Sequence, residues 1–451
     1  VLLAALARLD AVQCLVLPLL RERDLTHIVG EVRPDAWVGP GGDDPVDFVD
    51  LARRSAADAG HDLPVWSLPD LLTEAGAVDA AAITALPGLT DDPADPARWV
   101  FFTSGTTGPP KGVLHSDDAL AVGGIALAEH LELTAVDVFP VAFAITHVGG
   151  MNTVFAHLWT GMRLIVAERF EGDDTLDWFA GADITVGSGG TTLVQLMLRR
   201  QRARGSTRLY PRLRCALGGQ APKPRALQEE IRRELGGMGV VSVYGMTEAP
   251  SAVMCDLHDP VEILSFTEGR PIDGVALRVV DEQGVDVPVG VTGELCFRGR
   301  VVCLGYVDAA YDRDAFDADG WLHSGDLGHL TPEGCVVVSG RIKDVIIRKG
   351  ENISAKAVED LLYEHPDVLE VAVIGVPDDE RGEMACAVLV PADPGDPLTL
   401  DQMVAHCRDG GLAVVAIPER LEVVDVLPRN VTGKVLKRDL RERFSGAPAS
   451  A

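Results

Sequence analysis

Phe101-Phe102-Thr103-Ser104-Gly105-Thr106-Thr107-Gly108-Pro109-Pro110-Lys111-Gly112 is the stretch from which the rest of the chain can be read. It follows an apolar run and gathers glycines, hydroxyls and a lysine into one loop. Glycines let backbone N–H groups converge on an anion, the hydroxyls of Thr103, Ser104, Thr106 and Thr107 add donors, and Lys111 adds a point charge. That is chemistry for holding phosphate, such as that of a nucleoside triphosphate. It is not a Walker A loop, because a G-x-x-x-x-G-K-[ST] frame begun at Gly105 would need glycine in place of Pro110 and a hydroxyl in place of Gly112. The loop alone leaves the reaction open.

With 451 residues the chain is too long for one core, so two or more domains are expected. A formal charge of −28 repels nucleic acid and anionic membrane surfaces, and it repels polyphosphate ligands too, so local basic groups must overcome the global field. The eight cysteines, at 14, 215, 255, 296, 303, 335, 386 and 407, form no C-x-x-C pair and no zinc-like spacing with histidine. They read as buried free thiols. The apolar stretch 2–20 is broken by Arg8, Asp10 and Gln13 well short of a membrane span, and no secretory signal is visible. A cytoplasmic protein with no nucleic-acid partner is expected.

Apolar runs at 100–102, 164–167 and 240–244 alternate with amphipathic helical stretches at 193–200 and 225–235, which argues an α/β layered architecture. Between about 274 and 306 the pattern changes to short β-rich runs, 276–280 and 294–298, separated by turn residues. These suggest a small antiparallel β subdomain. Beyond Arg341 comes a compact unit with a helix near 355–364, which Ser354 can cap, and strands at 370–376 and 384–390. The acidic, proline-rich segment 91–96 is a connector into the phosphate loop. At the start, Leu2, Leu3, Leu6 and Leu9 fall at helical spacing with no capping residue ahead of them, as if the chain entered mid-helix.

Four further segments follow in order: Tyr244-Gly245-Met246-Thr247-Glu248, Gly320-Trp321-Leu322-His323-Ser324-Gly325-Asp326-Leu327-Gly328, Gly340-Arg341-Ile342-Lys343-Asp344, and Pro428-Arg429-Asn430-Val431-Thr432-Gly433-Lys434. With the first loop they closely resemble the acyl-adenylate-forming superfamily of acyl-CoA synthetases, carrier-loading adenylation domains and beetle luciferases. The resemblance covers most of the chain. It implies a large layered N-terminal domain with a small β-barrel-like subdomain, residues 1–341, and a small mobile α+β C-terminal domain, residues 342–451, hinged at Lys343. Members usually carry a further strand-and-helix layer before the point where this sequence starts, so a missing N-terminal segment is expected.

The resemblance also assigns roles. Beside the phosphate loop (Thr103, Ser104, Gly105, Thr106, Thr107, Gly108 and Lys111), Tyr244 packs on adenine, with Gly245 and Met246 following it. The turn Gly218-Gly219-Gln220-Ala221-Pro222 lines the other side. Asp326 receives the ribose hydroxyls on two acceptor oxygens, and Arg341 is a second ribose contact. Thr247 contacts phosphate and Glu248 helps to hold Mg²⁺. Lys434 bridges the substrate carboxylate and α-phosphate as charge accumulates. After the small domain swings, Lys349-Gly350-Glu351 faces the site, where CoA enters.

For the acid, the resemblance points to His147-Val148-Gly149 and to a pocket lined by 187–192, including Gly190, with Gly218, Val243 and Met246. An α-amino acid is a poor candidate, since no aspartate to pair its ammonium appears between Phe139 and Asn152. The expected activity is therefore an ATP- and CoA-dependent carboxylic acid–CoA ligase with Mg²⁺. Loading of a carrier-protein phosphopantetheine and a catalytically silent homologue are the alternatives, and a homodimer is left open. One departure stands out, valine and alanine at Val414-Val415-Ala416 where relatives commonly have an aromatic and a lysine.

Overall fold

The strands on either side of the glycine-rich loop form a β-hairpin. In the computed structural model, which describes residues 2–41, 46–74, 96–103, 109–205, 207–219, 227–429 and 434–445, the buried strand Trp99–Phe102 pairs antiparallel with Gly112–His115, and Phe102 stands opposite Gly112. Gln13–Leu15 adds a parallel strand on one side and Gly305–Tyr306 an antiparallel one on the other. The expectations placed on Ser104, Gly105, Thr106, Thr107, Gly108, Gln220, Ala221 and Pro222, on most of the connector 91–96 and on 430–433 fall outside the described residues.

A second sheet runs in the order Arg270–Pro271, Ala249–Met254, Val240–Met246, Cys215–Gly218, Val186–Gly187. Its last three strands are parallel, as the strand–helix alternation of the sequence requires. The helices Asp117–His130 and Val148–Thr160 pack against each other and against Ala249–Met254. Close approach is possible because of Gly124, where a Cβ would stand 2.5 Å from that of Phe155. Ser116 caps the first helix by accepting a hydrogen bond from the Ala119 N–H at 3.1 Å.

The β-rich stretch becomes a four-stranded antiparallel sheet, Val275–Val280, Gly293–Gly299, Leu322–Leu330 and Val336–Arg341, which extends further along the chain than the short runs suggest. A 3₁₀ turn, Ile342–Asp344, leads into the smaller C-terminal domain. There the long hairpin Val368–Asp378 and Gly382–Pro391 pairs with Arg420–Val423 and, through Arg348, with the strand Val345–Arg348; Glu351–Ser354 lies beyond. Alternate residues of the long hairpin enter two cores. Val371, Val373, Ala387 and Leu389 meet the helices Ala355–Leu362 and Leu400–Asp409, while Ile374, Val376, Val388 and Val390 meet Leu440 and Phe444 of the helix Lys437–Phe444. Ser354 caps its helix as expected. All eight cysteines are free thiols, and all but half-buried Cys14 are buried. Among the described residues no helix is long and apolar enough to cross a membrane.

Gly269 joins two of these sheets. The Val336 N–H donates to its carbonyl at 2.7 Å and the neighbouring Glu268 N–H donates to the Val336 carbonyl at 2.8 Å. Its φ is +90°, and a Cβ there would lie 1.9 Å from the Met254 carbonyl oxygen. Gly269→Ala is therefore expected to cost about 2 kcal/mol or more of stability. Urea unfolding checks this; a midpoint equal to that of the parent protein refutes it.

Candidate functional site

Asp326 is the centre of the site. It lies on the strand Leu322–Leu330, directly opposite Arg341 on the neighbouring strand, and it is 4% exposed. The Tyr244 hydroxyl donates to its Oδ2 at 2.7 Å, and Arg341 Nε stands 3.0 Å from its Oδ1. A buried carboxylate needs such partners, since desolvation without them is costly. The Tyr244 phenol is raised well above its ordinary pKa by burial and by the Asp326 charge, so it stays a donor at neutral pH.

Lys434 arrives from the other domain. Burial lowers its amine to a pKa of about 7, assisted by the Arg341 and Lys343 charges and opposed by Asp326 and Asp344. The lysine is thus coupled by charge to both members of the Asp326–Arg341 pair. Lys343, in the turn between the domains, is lowered by burial and by Arg341. Lys437, three residues on, is used differently. Its Nζ pairs with buried Glu359 at 2.7 Å, and the same carboxylate oxygen accepts from the Val373 N–H at 2.7 Å.

What presents Asp326 is a bend. Gly325 has φ +70°, and Glu294 holds the bend by accepting from the Gly325 N–H at 2.9 Å. The other Glu294 oxygen is 2.8 Å from His323 Nδ1. Glu294, Cys296 and His323 thus bring an oxygen, a sulfur and a nitrogen within 4.8 Å, the donor set of a metal site. Here the positive charge is already supplied: Arg278 pairs with Asp317 at 2.5 Å, and its charge acts on the Cys296 thiol, which burial pushes up to about 12.

A second group forms around Glu248. The Tyr306 hydroxyl donates to Glu248 Oε1 at 2.7 Å, and Lys111 Nζ lies 5.5 Å from the Tyr306 ring centroid and 4.1 Å from that of Tyr311. The neck of the glycine-rich loop is closed by the Thr103 N–H donating to the Lys111 carbonyl at 2.9 Å and the Lys111 N–H donating to Thr103 Oγ1 at 3.2 Å. Thr247 is fixed from behind by fully buried His115, whose Nε2 donates to the Thr247 carbonyl at 2.7 Å. Burial pushes that imidazole down to about 4, so it is neutral. His115 and Tyr306 were missed from sequence. The signal for His115 is strand alternation, which puts it on the same buried face as Val113; nothing local marks Tyr306.

The acyl-side residues meet on the second sheet. The glycines Gly218 and Gly219 are needed for contact with the strand Val240–Met246: added Cβ atoms would stand 2.4 Å from Val240 Cγ1 and 2.6 Å from the Val243 carbonyl oxygen. The Gly219 carbonyl accepts from the Thr191 N–H at 3.2 Å, which ties Gly190 at the start of its helix to Val243. Gly245 and Met246 lie at an irregularity in that strand. His147 caps the helix Val148–Thr160, its Nδ1 accepting from the Gly149 N–H at 3.2 Å. Burial lowers its pKa, so the neutral ring carries its proton on Nε2. With Val148, Phe101, Phe102 and Thr247 it lines a small cleft. The Lys349-Gly350 pair forms the tip of a hairpin with both φ values positive, and the Lys349 N–H donates to the Arg381 carbonyl at 2.9 Å. Its backbone is thus tied to the 378–382 turn.

Two family models match this chain. Residues 1–307 match the AMP-binding enzyme family and residues 357–434 the AMP-binding enzyme C-terminal domain. The medium-chain fatty-acid–CoA ligase of Escherichia coli is 33% identical over 360 residues, 78% of this chain and 62% of that protein's length. ATP-bound MatB from Rhodopseudomonas palustris superimposes with a TM-score of 0.85 at 29% identity, covering 98% of this chain and 86% of that one. The o-succinylbenzoate CoA synthetase of Bacillus subtilis in complex with its acyl-adenylate intermediate gives 0.82 at 25% identity, over 100% and 86%.

The depressed Lys434 pKa sets a pH dependence. Between about 7 and the ordinary 10.5 the unfolded chain holds a proton that the folded chain has released, so this lysine's contribution to stability rises with pH across that window. Ligand-free Lys434→Met is expected to gain stability on the parent protein at about pH 6.5, with the gap shrinking by about pH 9.5. Urea unfolding at the two values tests this, and an unchanged gap refutes it.

Proposed function

We propose that this chain, which belongs to the AMP-binding enzyme family, is an ATP-dependent carboxylic acid–CoA ligase: a carboxylate attacks the α-phosphorus of ATP and expels pyrophosphate, then the CoA thiol attacks the acyl carbonyl and expels AMP. The observation that carries this reading is the Tyr244–Asp326–Arg341 group, with the Lys434 amine coupled by charge to Asp326 and Arg341. An anion attacking an anion needs cations where charge develops, and Lys434 delivers one there. Bound ATP would raise the lysine's lowered pKa, so nucleotide and proton arrive together.

In this reading the Tyr244 ring packs on adenine, and Asp326 and Arg341 take the ribose. Lys111 and the loop hold the phosphates, and the Thr247 hydroxyl contacts them. Glu248 suits Mg²⁺, being a hard oxygen donor oriented by Tyr306; the ion would neutralise phosphate charge when bound. His147, Val148, Gly149, Gly190, Gly218 and Val243 border the acid. We take residues 1–341 and 342–451 as the two moving bodies, with Lys343 at the joint, and Lys349, Gly350 and Glu351 as the face turned to CoA in the second step. The CoA ligases among its relatives favour CoA over a carrier protein as acceptor. The acidic charge and the free thiols support a cytosolic setting.

The test is Mg²⁺-ATP-dependent pyrophosphate release over a panel of aliphatic, alicyclic and aryl carboxylic acids, with and without CoA. Acid-dependent release with acyl-CoA formed is expected; ATP binding with no release under any acid would favour a silent homologue. Lys434→Ala is expected to slow adenylation by about 100-fold or more while sparing thioester formation from supplied acyl-adenylate. Equal loss in both half-reactions would refute the division of labour.

A further inference from the structure

We propose that His27 and Glu31 are positioning residues for the phosphate loop, forming a clasp on its outer shoulder that fixes the backbone on either side of Lys111. The inference rests on the nucleotide reading of that loop. The helix Glu22–Val32 buries Leu25 and Ile28 against Val100 and Phe102 of the loop's own hairpin, so its register on the hairpin is fixed by core packing. One turn apart on that helix, His27 and Glu31 reach the loop's exit. His27 Nε2 is 2.8 Å from the Pro110 carbonyl oxygen and 3.1 Å from Glu31 Oε2. Glu31 Oε1 accepts from the Gly112 N–H at 3.4 Å.

The two residues held are the immediate neighbours of Lys111. On the inner side, Thr103 already takes both backbone groups of Lys111, and the Val307 N–H donates to the Gly112 carbonyl at 2.8 Å. The peptides around Lys111 are therefore gripped by three segments remote from one another in sequence. Pro110 has no N–H, so its carbonyl is its only backbone handle, and the imidazole takes it. The Glu31 carboxyl is raised by burial and by Asp308 and lowered by the Gly112 N–H and His27, so the clasp places a partly desolvated acceptor where the loop returns to its strand. The strand ladder from Trp99–His115 to Phe102–Gly112 forms without these side chains. What the clasp adds is the placement of the lysine, and a misplacement of about 1 Å at a reacting phosphate costs up to about 100-fold in rate.

His27→Ala, His27→Gln and Glu31→Ala in the full chain test this. Three quantities are read for each: ATP affinity at equilibrium, acid-dependent pyrophosphate release, and thioester formation from supplied acyl-adenylate. His27→Ala and Glu31→Ala are expected to raise the KM for ATP and lower pyrophosphate release by roughly tenfold, leaving the thioester step within about twofold. His27→Gln, which keeps an N–H able to reach the Pro110 carbonyl, is expected to recover most of the loss. An unchanged ATP KM, equal loss in both half-reactions, or no recovery with glutamine overturns the clasp while leaving the ligase reading intact. If the parent protein binds ATP but releases no pyrophosphate, the ligase reading fails, and weaker ATP binding by His27→Ala still supports the clasp. A parent protein that binds no ATP overturns both.

Discussion

A buried carboxylate, Asp326, is the constraint around which the large domain's site is arranged. Its two oxygens are met by Tyr244 from the second sheet and by Arg341 from the last strand of the antiparallel sheet. Taking either partner away would leave charge in a desolvated place, so the two sheets must keep their mutual position. The site is rigid there because that charge forbids it to be otherwise. Glu294 extends the constraint backwards by holding the Gly325 bend that aims the carboxylate.

The second group of residues follows a different logic. Around Glu248, Lys111 and Thr247, the polar groups are oriented by residues behind them: Tyr306 for the carboxylate, the Thr103 neck for the lysine's backbone and His115 for the threonine's carbonyl. The same division between groups that face inward and groups that hold them recurs at His147, whose ring nitrogen caps a helix while the residue borders a cleft.

The order of the motifs, the layered architecture and most elements were legible from sequence because they rest on local patterns: apolar alternation in the strands, Ser354 before its helix, a glycine-rich loop after an apolar run. The antiparallel sheet was seen only in part, because its later strands carry the Asp326 and Arg341 motifs, whose polar residues hide the alternation. Residues that hold the site were not legible. Strand alternation could place His115 on a buried face but not its partner Thr247, and His27, Glu294 and Tyr306 act on partners between 31 and 83 positions away, which no spacing rule reaches. Lys437 illustrates the limit from the other side: next to Lys434 in a basic segment it looks solvated, yet it neutralises buried Glu359.

That ion pair lies inside a unit whose sheet is covered on both faces, by two helices on one and by the helix Lys437–Phe444 on the other. A body packed in this way has little internal give. In the two-body reading proposed above it would act as a lever: a small turn at Ile342–Asp344 would be carried whole to whatever is fixed to the far side of the sheet, and Lys434 lies just ahead of the outer helix. Reach and timing of Lys434 would then be properties of one joint.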